Sequence, residues 1–412
     1  IRALWLMPVT RSQDGDHGYA VADYRAIETA YGSLADFDEL VKQAHARGIA
    51  VTIDYVMNHS AGTHPAFVNA KDGAGNPFRD WYVWANPAPT GWSVFGGNPW
   101  RTTASGAYYA PFWDQMPDWN LLNPAVVAFH KDNLRFWLNR GVDGFRFDAV
   151  GNLVENGPTA WVNQPRSYTL MGEMQGVAAA YRRRAIVCEA PDDPWGFAAP
   201  SACGSAFAFG LQWKILDAAR GRAVAVQQLA SYFDGAPAGL AIFLSNHDSF
   251  AGDRPFDQLG GDLAQLKLAA STLLLLPGRP FLYYGEEVGM GSGRNLLGDP
   301  KLRSPMSWAA DTAQGGFTTG TPYRALAANV ATHNVALQQA DPASLLAHYK
   351  AMLALRNGLA PIARGSFEQA QVSGTALAFQ RRLGSERVQV VIHYGSTESG
   401  IELTGLPAGA KL

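Results

Sequence analysis

Continuous apolar runs alternate along the chain with segments whose apolar residues recur at helical spacing. Residues 1–9 and 49–57 are apolar runs of the kind expected of strands buried on both faces. Residues 33–47 between them follow the helical period, with Ser33 and Asp36 in a capping-box pattern at the start and Gly48 at the end. The same alternation predicts helices at 124–140, 168–183, 222–233 and 262–276, and strands at 142–148, 185–189, 207–211, 240–245 and 280–284.

Strands that alternate with helices form parallel sheets, and this many repeats favour a closed barrel. The predicted fold class is therefore α/β, a (β/α)8 TIM barrel. The pattern gives one strand fewer than such a barrel contains. We expect the first strand to be absent from this chain and to precede Ile1.

Two regions depart from the alternation. Residues 58–123 are rich in Gly, Pro, Asn and Trp and are far longer than an ordinary loop, so they predict an inserted domain after the third strand. After a final helix, capped at Asp341 and ending near residue 357, short alternating segments at 376–381 and 388–393 predict a C-terminal antiparallel β domain. The predicted domains are a barrel of residues 1–57 and 124–358, an insert of residues 58–123, and an incomplete C-terminal domain of residues 359–412.

Composition narrows the choice of partners. The formal net charge is −2 and charged residues make up 17% of the chain, without long runs of one sign. A nucleic acid or an anionic membrane would require a basic patch, so we expect neither as a partner. We expect a monomer without an organic cofactor.

The cysteines and the first residue bear on location. Two cysteines are too few for a disulfide framework or a multi-cysteine zinc site, and they leave the redox compartment open. The chain begins at Ile1 without a basic leader, so a targeting segment has been removed or was not included. We expect a periplasmic or secreted protein, with a cytoplasmic one left open.

Ionisable and amide side chains follow four of the predicted strands directly. Barrel enzymes carry their reacting groups at these carboxyl ends. A single Asp after a strand is more often a helix cap, and a single Arg within one more often forms a structural ion pair. Four strands ending in this way make coincidence a poor explanation. The residues concerned are Asp54, Asn58 and His59; Arg146 and Asp148; Glu189; and Asn246, His247 and Asp248.

Clustered carboxylates with one arginine indicate glycoside hydrolysis by a retaining route, in which one carboxylate attacks the sugar and a carboxylic acid protonates the leaving oxygen. Arg146 lies two residues before Asp148, so both point to one face of the strand and Asp148 is held ionised, as a nucleophile must be. Glu189 has apolar neighbours and nearby like charges. Both raise a carboxyl pKa, which suits a general acid.

Taken together, these segments resemble the α-amylase family of retaining glycoside hydrolases over nearly the whole chain. The four strand-end motifs, in the order of the family, are DYVMNH (54–59), GFRFDA (144–149), VCEA (187–190) and SNHD (245–248). Supporting matches are HGYAVADY (17–24), MPDWN (116–120), YYGEEVGM (283–290) and RSPMSW (303–308).

The resemblance implies roles for individual residues. Asp148 would be the nucleophile, Glu189 the general acid and base, and Asp248 the carboxylate that binds and distorts the sugar at the cleavage position. The remaining residues would bind substrate or orient these three: Arg146 orients the catalytic carboxylates, Tyr19 stacks on the sugar, His59 and His247 hydrogen-bond it, Asp54 supports or braces Arg146, and Asn246 binds or only shapes its loop.

A structural metal is a further expectation from the resemblance. Asn58 and Asp118 match positions at which many members hold Ca²⁺ between barrel and insert. Oxygen ligands suit that ion, although one Asp and one neutral Asn are few ligands for it.

Some positions depart from the common amylase pattern. Gly151 and Asn152 stand where many amylases have a Lys-His pair, which puts the leaving-group contacts in doubt. Asp16 resembles the acidic position with which exo-acting α-glucosidases grip a chain end. Met116 and Ala149 instead resemble α-1,4-acting members.

The resulting expectation is a retaining enzyme that cleaves α-1,4-glucosidic bonds in starch, maltodextrins or maltooligosaccharides. An α-glucosidase, a neopullulanase or a transglycosylase with the same carboxylates is the alternative, and a non-catalytic glycan-binding relative is a more remote one. Within the insert, Trp100, Trp113 and Trp119 are candidates for contact with substrate, although a small domain also needs aromatic residues for its own core.

Overall fold

The computed structural model describes residues 1–398 and 400–403. The chain divides into two compact units, Ile1–Phe207 and Ala208–Leu412. Parallel strands alternate with helices in both of them. No helix in the described ranges is long and apolar enough to cross a membrane.

The first unit combines a parallel sheet with a smaller antiparallel one. Its strands are β1 (Ala3–Leu6), β2 (Thr10–Ser12), β3 (Val21–Ile27), β4 (Ala50–Tyr55), β5 (Trp84–Ala85), β6 (Trp100–Thr103), β7 (Gly106–Tyr109), β8 (Gly144–Phe147), β9 (Ala185–Cys188) and β10 (Ala206–Phe207). Its helices are α1 (Leu34–Ala46), α2 (Pro65–Asp72), α3 (Pro124–Asn139), α4 (Pro165–Ala179) and α5 (Pro194–Ala198). Short 3-10 helices occupy Arg79–Trp81 and Val150–Asn152.

The parallel sheet of this unit has the order β1-β4-β8-β9-β10. Its register places Asp54 on β4 opposite Arg146 on β8, and Phe147 on β8 opposite Cys188 on β9. Neighbouring parallel strands end at the same edge of a sheet, so Asp148 and Glu189, the residues that follow β8 and β9, emerge side by side.

Local sequence signals explain where the helices begin and which face they bury. The predicted capping box of α1 is confirmed: the Ser33 hydroxyl accepts from the Asp36 amide, and the Asp36 carboxylate accepts from the Ser33 amide at 2.8 Å. The apolar stripe of α1 is buried, and the Phe37 ring packs edge-on against Trp137 of α3 at 5.2 Å.

The inserted segment contains α2 and the antiparallel sheet β5-β7-β6. Trp100 packs with Val94, Ala107 and Tyr109 in one small core, and Trp119 is 1% exposed. Two of the three tryptophans that were candidates for substrate contact are therefore structural, because this small domain needs their bulk for its own core. The Trp113 side chain is 41% exposed. The domain boundaries at 58, 123 and 358 stay predictions.

The second unit carries two parallel strands and the C-terminal sheet. Its strands are β11 (Leu240–Ile242), β12 (Arg279–Pro280), β13 (Ser366–Ser373), β14 (Ala376–Leu383) and β15 (Glu386–His393), the last three forming the antiparallel order β13-β14-β15. Its helices are α6 (Leu211–Ala219), α7 (Ala223–Ser231), α8 (Pro255–Gln258), α9 (Leu263–Leu275), α10 (Val335–Ala340), α11 (Leu345–Gly358) and α12 (Ala360–Arg364). Three 3-10 helices lie at Ser249–Ala251, Glu286–Val288 and Asp299–Leu302.

These elements confirm the predicted class, an α/β fold of the TIM-barrel type with an inserted and a C-terminal antiparallel sheet. Several local expectations are wrong. The strands expected at 240–245 and 280–284 end at Ile242 and Pro280. The strand expected at 207–211 ends at Phe207, because α6 already begins at Leu211. The last long helix is capped by Ser344, whose hydroxyl accepts from Ala347, whereas Asp341 ends α10. Of the predicted C-terminal domain, residues 399 and 404–412 lie outside the described residues.

The close approach of β8 and β9 yields a stability prediction. A Cβ on Gly144 would overlap the carbonyl oxygen of Ala185, so Gly144→Ala should destabilise the protein by about 1–3 kcal/mol. Gly176 lies exposed on α4 with open space around its Cα, and Gly176→Ala should stabilise by about 1 kcal/mol. Urea denaturation of both variants checks the opposite signs. Equal effects of the two substitutions would show that the close approach of β8 and β9 does not limit the size of the side chain at residue 144.

Candidate active site

One buried arginine organises the site of the first unit. Arg146 is 1% exposed, and its Nη1 donates to Asp54 Oδ1 and to Asp148 Oδ1, each at 2.8 Å. Its Nη2 lies 2.7 Å from Glu189 Oε2. A single guanidinium therefore binds three carboxylates that arrive from the ends of β4, β8 and β9, and the structure brings these four predicted residues together.

Asp54 is turned inward, toward protein groups. Besides Arg146 it accepts from the Tyr19 hydroxyl at 3.0 Å and from Trp5 Nε1 at 3.2 Å. Burial raises the pKa of Asp54, and the Arg146 charge opposes that rise. Because its carboxylate oxygens accept from these protein groups, Asp54 holds Arg146 and Tyr19 in place, in line with the supporting role expected of it.

Glu189 is a buried carboxyl with a raised pKa. The side chain is 6% exposed, and its Oε2 accepts from the Ala149 amide at 3.1 Å. Burial raises the pKa of Glu189 to about 7; Arg146 opposes the rise and the Asp148 charge adds to it. Three carboxylates around one cation leave a surplus of negative charge, so a carboxyl that keeps its proton near neutral pH is the expected result.

The backbone after Asp148 is strained. Ala149 has φ 46°, in the left-handed region, and the 3-10 helix Val150–Asn152 follows it directly. The Val150 amide donates to the carbonyl oxygen of Glu189 at 3.1 Å. Backbone strain of this kind persists only where the surroundings impose it, and it often marks functional sites. Here the sharp turn holds the residues after β8 and β9 against each other.

The loop that carries Tyr19 is organised by a residue that the sequence analysis did not single out. The Asp14 carboxylate accepts five hydrogen bonds, from the Ser12 hydroxyl and from the backbone amides of Asp16, His17, Gly18 and Ala20. Hydrogen bonds of this kind hold the pKa of Asp14 well below its usual range, although burial alone would raise it. The loop so fixed presents the Tyr19 hydroxyl to Arg146 Nη1 at 3.0 Å. An acidic residue before a Gly-rich turn is the signal that could have found Asp14.

His59 follows β4 and is 2% exposed. Burial lowers its pKa to about 3, so the ring is neutral near pH 7. Its Nε2 has no hydrogen-bond partner within residues 1–398 and 400–403. The ring packs against Phe112 of the insert at 5.3 Å.

The second unit holds the remaining predicted residues. His247 Nε2 lies 3.1 Å from Asp248 Oδ2, and the Asn246 side-chain oxygen accepts from the Asp248 amide at 2.8 Å. Arg303, from the RSPMSW motif, donates to Asp248 Oδ1 and to the carbonyl oxygen of His247, each at 3.0 Å. The motif alone assigned no role to Arg303, and the structure places its guanidinium beside the third carboxylate. The Asn246 side chain therefore stabilises the turn before Asp248, which is the structural role considered for it.

A disulfide bond joins Cys188 and Cys203, which the sequence analysis left unpaired. Cys188 ends β9 and directly precedes Glu189, while Cys203 lies after α5. The bond therefore ties the loop after Glu189 back to the strand that carries this residue. Both side chains are buried.

Asn58 and Asp118 are in contact, as the metal hypothesis requires. Asn58 Nδ2 donates to Asp118 Oδ2 at 2.9 Å. The Oδ1 atoms of both residues are buried and find no partner in the described part of the chain. No group of three or more His, Cys, Asp and Glu side chains among the described residues could hold a metal. The pair fits Ca²⁺ as a partial oxygen set that backbone carbonyls would have to complete.

Carboxylates held by one arginine at the ends of parallel strands, with the pKa of Glu189 raised to about 7, are the arrangement expected of a retaining glycoside hydrolase. Residues 1–365 match the family model described as "Alpha amylase, catalytic domain". The chain belongs to the α-amylase family. It is an enzyme of that family, acting on α-glucans as a hydrolase or a transglycosylase.

Similar proteins carry different activities. "Alpha-amylase 3" of Dictyoglomus thermophilum is 32% identical over 97% of this chain and 78% of its own length. "Probable alpha-glucosidase" of Rhizobium meliloti is 30% identical over 94% of this chain and 80% of its own. The solved structure of XgtA, an "alpha-glucosyl transfer enzyme", covers 96% of this chain and 84% of its own with a TM-score of 0.86 and 27% identity.

The arrangement around Arg146 predicts a pH-dependent stability defect. Arg146→Met would leave three carboxylates buried without their cation and should cost about 3–5 kcal/mol at pH 8. The missing charge raises the carboxyl pKa values of the folded variant further above those of the unfolded chain. The penalty therefore grows as pH rises from about 4 and is smaller at pH 5, where the carboxyls are protonated.

Urea denaturation of native protein and variant at pH 5 and pH 8 measures the defect. Arg135→Met is the matched control, because Arg135 pairs with Asp132 on the surface of α3, and it should change stability by less than about 0.5 kcal/mol at both values. A defect for Arg146→Met that is equal at pH 5 and pH 8 would mean that charge pairing is not what Arg146 contributes.

Proposed function

We propose that the protein cleaves α-1,4-glucosidic bonds of starch, maltodextrins or maltooligosaccharides through a covalent glycosyl-enzyme. The observation that carries this proposal is the bridge formed by Arg146 between Asp148 and Glu189. One guanidinium can hold two carboxylates only if they lie near each other, which favours the separation of about 5–5.5 Å used in retention over the longer one used in inversion.

The two catalytic carboxyls divide the work by proton affinity. The Asp148 carboxylate, paired with Arg146 at 2.8 Å, attacks the anomeric carbon while protonated Glu189 donates its proton to the leaving glucosidic oxygen. Glu189, now ionised, takes a proton from water, and the resulting hydroxide equivalent displaces Asp148 and releases the sugar with its original configuration. The pKa of Glu189 near 7 suits both steps, because the same group must give up a proton and accept one.

The substrate-binding roles follow from chemistry and from the family. Asp248, paired with Arg303, is proposed to bind sugar hydroxyls as positive charge develops on the ring. His59 offers its unpartnered Nε2 to a hydroxyl, His247 is proposed to do the same, and Tyr19 offers its ring face. These assignments of sugar-binding groups stay proposals.

An α-glucosidase is the second candidate. Asp16 sits in the loop that Asp14 organises and that presents Tyr19. A carboxylate there could bind the free end of a chain and restrict cleavage to terminal units. The relatives named as α-glucosidase and as transfer enzyme support this alternative, and a transglycosylase or a neopullulanase would use the same carboxylates. A non-catalytic relative is disfavoured by the presence of all three carboxylates.

Substitution of the two catalytic carboxyls tests the mechanism. Asp148→Asn should lower turnover of reduced maltoheptaose more than a thousandfold, because the covalent intermediate cannot form (~4 kcal/mol of barrier). Glu189→Gln should also fail on this substrate, yet form the glycosyl-enzyme from α-glucosyl fluoride, whose leaving group needs no proton. Glu173→Gln on α4, which loses only ion pairs with Lys131 and Arg166, is the control and should retain activity.

The same digests identify the bond that is cut. Internal cleavage releases short maltooligosaccharides from reduced maltoheptaose, whereas glucose released one unit at a time would replace the proposal by the α-glucosidase. A loss below about tenfold for Asp148→Asn would remove it as the nucleophile. Equal loss of Glu189→Gln on both substrates would remove Glu189 as the acid.

We also propose that Asn58 and Asp118 take part in holding a structural Ca²⁺. Their Oδ1 atoms, which have no partner among residues 1–398 and 400–403, are acceptors of the type that this ion prefers. Bound ion would neutralise a buried carboxylate and fasten the insert to the end of β4, since Asn58 follows that strand and Asp118 closes the insert.

Chelation of the purified protein should lower its melting temperature, and added Ca²⁺ should restore it, because an ion bound only by the folded state stabilises in proportion to ln(1 + [L]/Kd). Asp118→Asn should abolish the response to Ca²⁺. Active protein found free of calcium by elemental analysis would refute the proposal.

A further inference from the structure

The strand that leads to Glu189 is supported unequally on its two sides. On one side β9 pairs with β8 over four residues, Ala185–Cys188, and the Glu189 amide donates to the carbonyl oxygen of Phe147 at 2.9 Å. On the other side β10 has two residues, and its register pairs Ala206 with Cys188. The backbone ladder therefore fixes the end of β9 more firmly toward β8 than toward β10.

The disulfide bond between Cys188 and Cys203 lies on the less supported side. Cys203 comes two residues before Ser205, whose carbonyl oxygen accepts from the Cys188 amide at 3.0 Å. The bond thus joins the end of β9 covalently to the segment that leads into β10. Glu189 is the next residue after Cys188, so the bond fixes the backbone directly before the candidate acid.

The loop that this bond closes, residues 189–203, is anchored at its middle as well. The Tyr168 hydroxyl of α4 donates to Asp193 Oδ2 at 2.6 Å, and the Tyr168 ring stacks on Phe197 of α5 at 4.2 Å. Helix α4 therefore holds the body of the loop. The disulfide connects that body to the end of β9.

The candidate acid depends strongly on such placement. A general acid must come within hydrogen-bond distance of the oxygen that it protonates. A displacement of about 1 Å can lower a rate roughly a hundredfold. Arg146 and the Ala149 amide orient the Glu189 carboxyl through its Oε2 atom, whereas the position of the Glu189 backbone depends on the end of β9.

We propose that Cys188 and Cys203 are positioning residues for proton transfer by Glu189, because their bond holds the end of β9 where the carboxyl can reach the leaving oxygen. This inference rests on the proposed function and assigns the bond to one step of that reaction. A glucosidic oxygen needs a proton to leave, but fluoride does not. The two leaving groups therefore distinguish a displaced acid from a generally damaged site.

The double variant Cys188→Ala/Cys203→Ala removes the bond and leaves two small apolar side chains. It should lower turnover of reduced maltoheptaose about tenfold or more. The first release of fluoride from α-glucosyl fluoride, which reports formation of the glycosyl-enzyme, should stay within about twofold of the native rate. Equal loss on both substrates, or no loss on either, would overturn the positioning role.

Tyr168→Phe is the matched control. It removes the hydrogen bond to Asp193 from the same loop but keeps the disulfide and the stacked ring. The ratio of its rates on the two substrates should equal that of the native protein. The same change of ratio in Tyr168→Phe and in the double variant would overturn the inference, since any loosening of the loop would then suffice.

Reduction of the native protein makes the same comparison without a substitution. A small dithiol passes two electrons and two protons to the bond, which becomes two thiols while the dithiol becomes a disulfide. Both cysteines are buried, so the reaction is run in urea below the unfolding transition, and the thiols are counted after its removal. Activity on maltoheptaose should fall with the thiol count and return on reoxidation. A folded, reduced protein with the native ratio of rates would overturn the inference, even where the double variant fails to fold.

A readout independent of turnover separates this inference from the proposed function. Burial raises the pKa of Glu189 to about 7. Carbon-13 NMR follows this titration, and Glu189→Gln identifies the signal. A carboxyl displaced from its buried position should titrate at a lower pKa in the double variant and at the native pKa in Tyr168→Phe.

If the native protein cleaves α-glucosides, the ratio of the two rates decides. If it cleaves none, the proposed reaction fails and the pKa decides: a lowered pKa in the double variant supports the positioning role, and an unchanged one overturns it.

Discussion

The site of the first unit depends on the enclosure of one arginine among three carboxylates. Arg146 is almost wholly buried, and a buried guanidinium without anions would be strongly destabilising. Its fork satisfies Asp54, Asp148 and Glu189 at 2.7–2.8 Å and so fixes the relative positions of β4, β8 and β9. Because one positive charge faces three acidic groups, the cluster favours retention of a proton, and burial raises the pKa of Glu189 to about 7. The same charge cluster thus holds the three strand ends together and raises the pKa of the candidate acid, Glu189.

Much of the fold and most of the site could be predicted because both depend on the local order of apolar and polar residues along the chain. Apolar runs ending in Asp54, Asp148 and Glu189 gave the strands and their functional edge, and Ser33 with Asp36 gave a helix start. What escaped prediction depends on three-dimensional proximity. The Asp14 carboxylate gathers five donors from its own loop, and Cys188 meets Cys203 only after β9 and α5 are in place.

Residue type alone could not divide the aromatic residues of the insert between core and surface. Trp100 and Trp119 were reasonable candidates for substrate contact, yet they fill a small core, and the exposed rings include the less prominent Phe95 and Phe112. The sheet register and the turn at residues 94–97 decide which ring faces inward, and neither can be read from hydrophobicity. Large side chains in a small domain are needed for stability first, so the most bulky ones are the least available to a ligand.

Backbone strain also occurs near the candidate site and in the insert. Ala149 and Phe95 both adopt positive φ without being glycine. Ala149 follows the nucleophile candidate, and the Phe95 ring packs against Phe112, which contacts the His59 ring. Strain at either position weakens the fold, so a stable framework must hold it in place. The framework here is the parallel sheet clamped by Arg146 and the insert core around Trp100. Well-packed elements thereby hold two unfavourable backbone conformations in place.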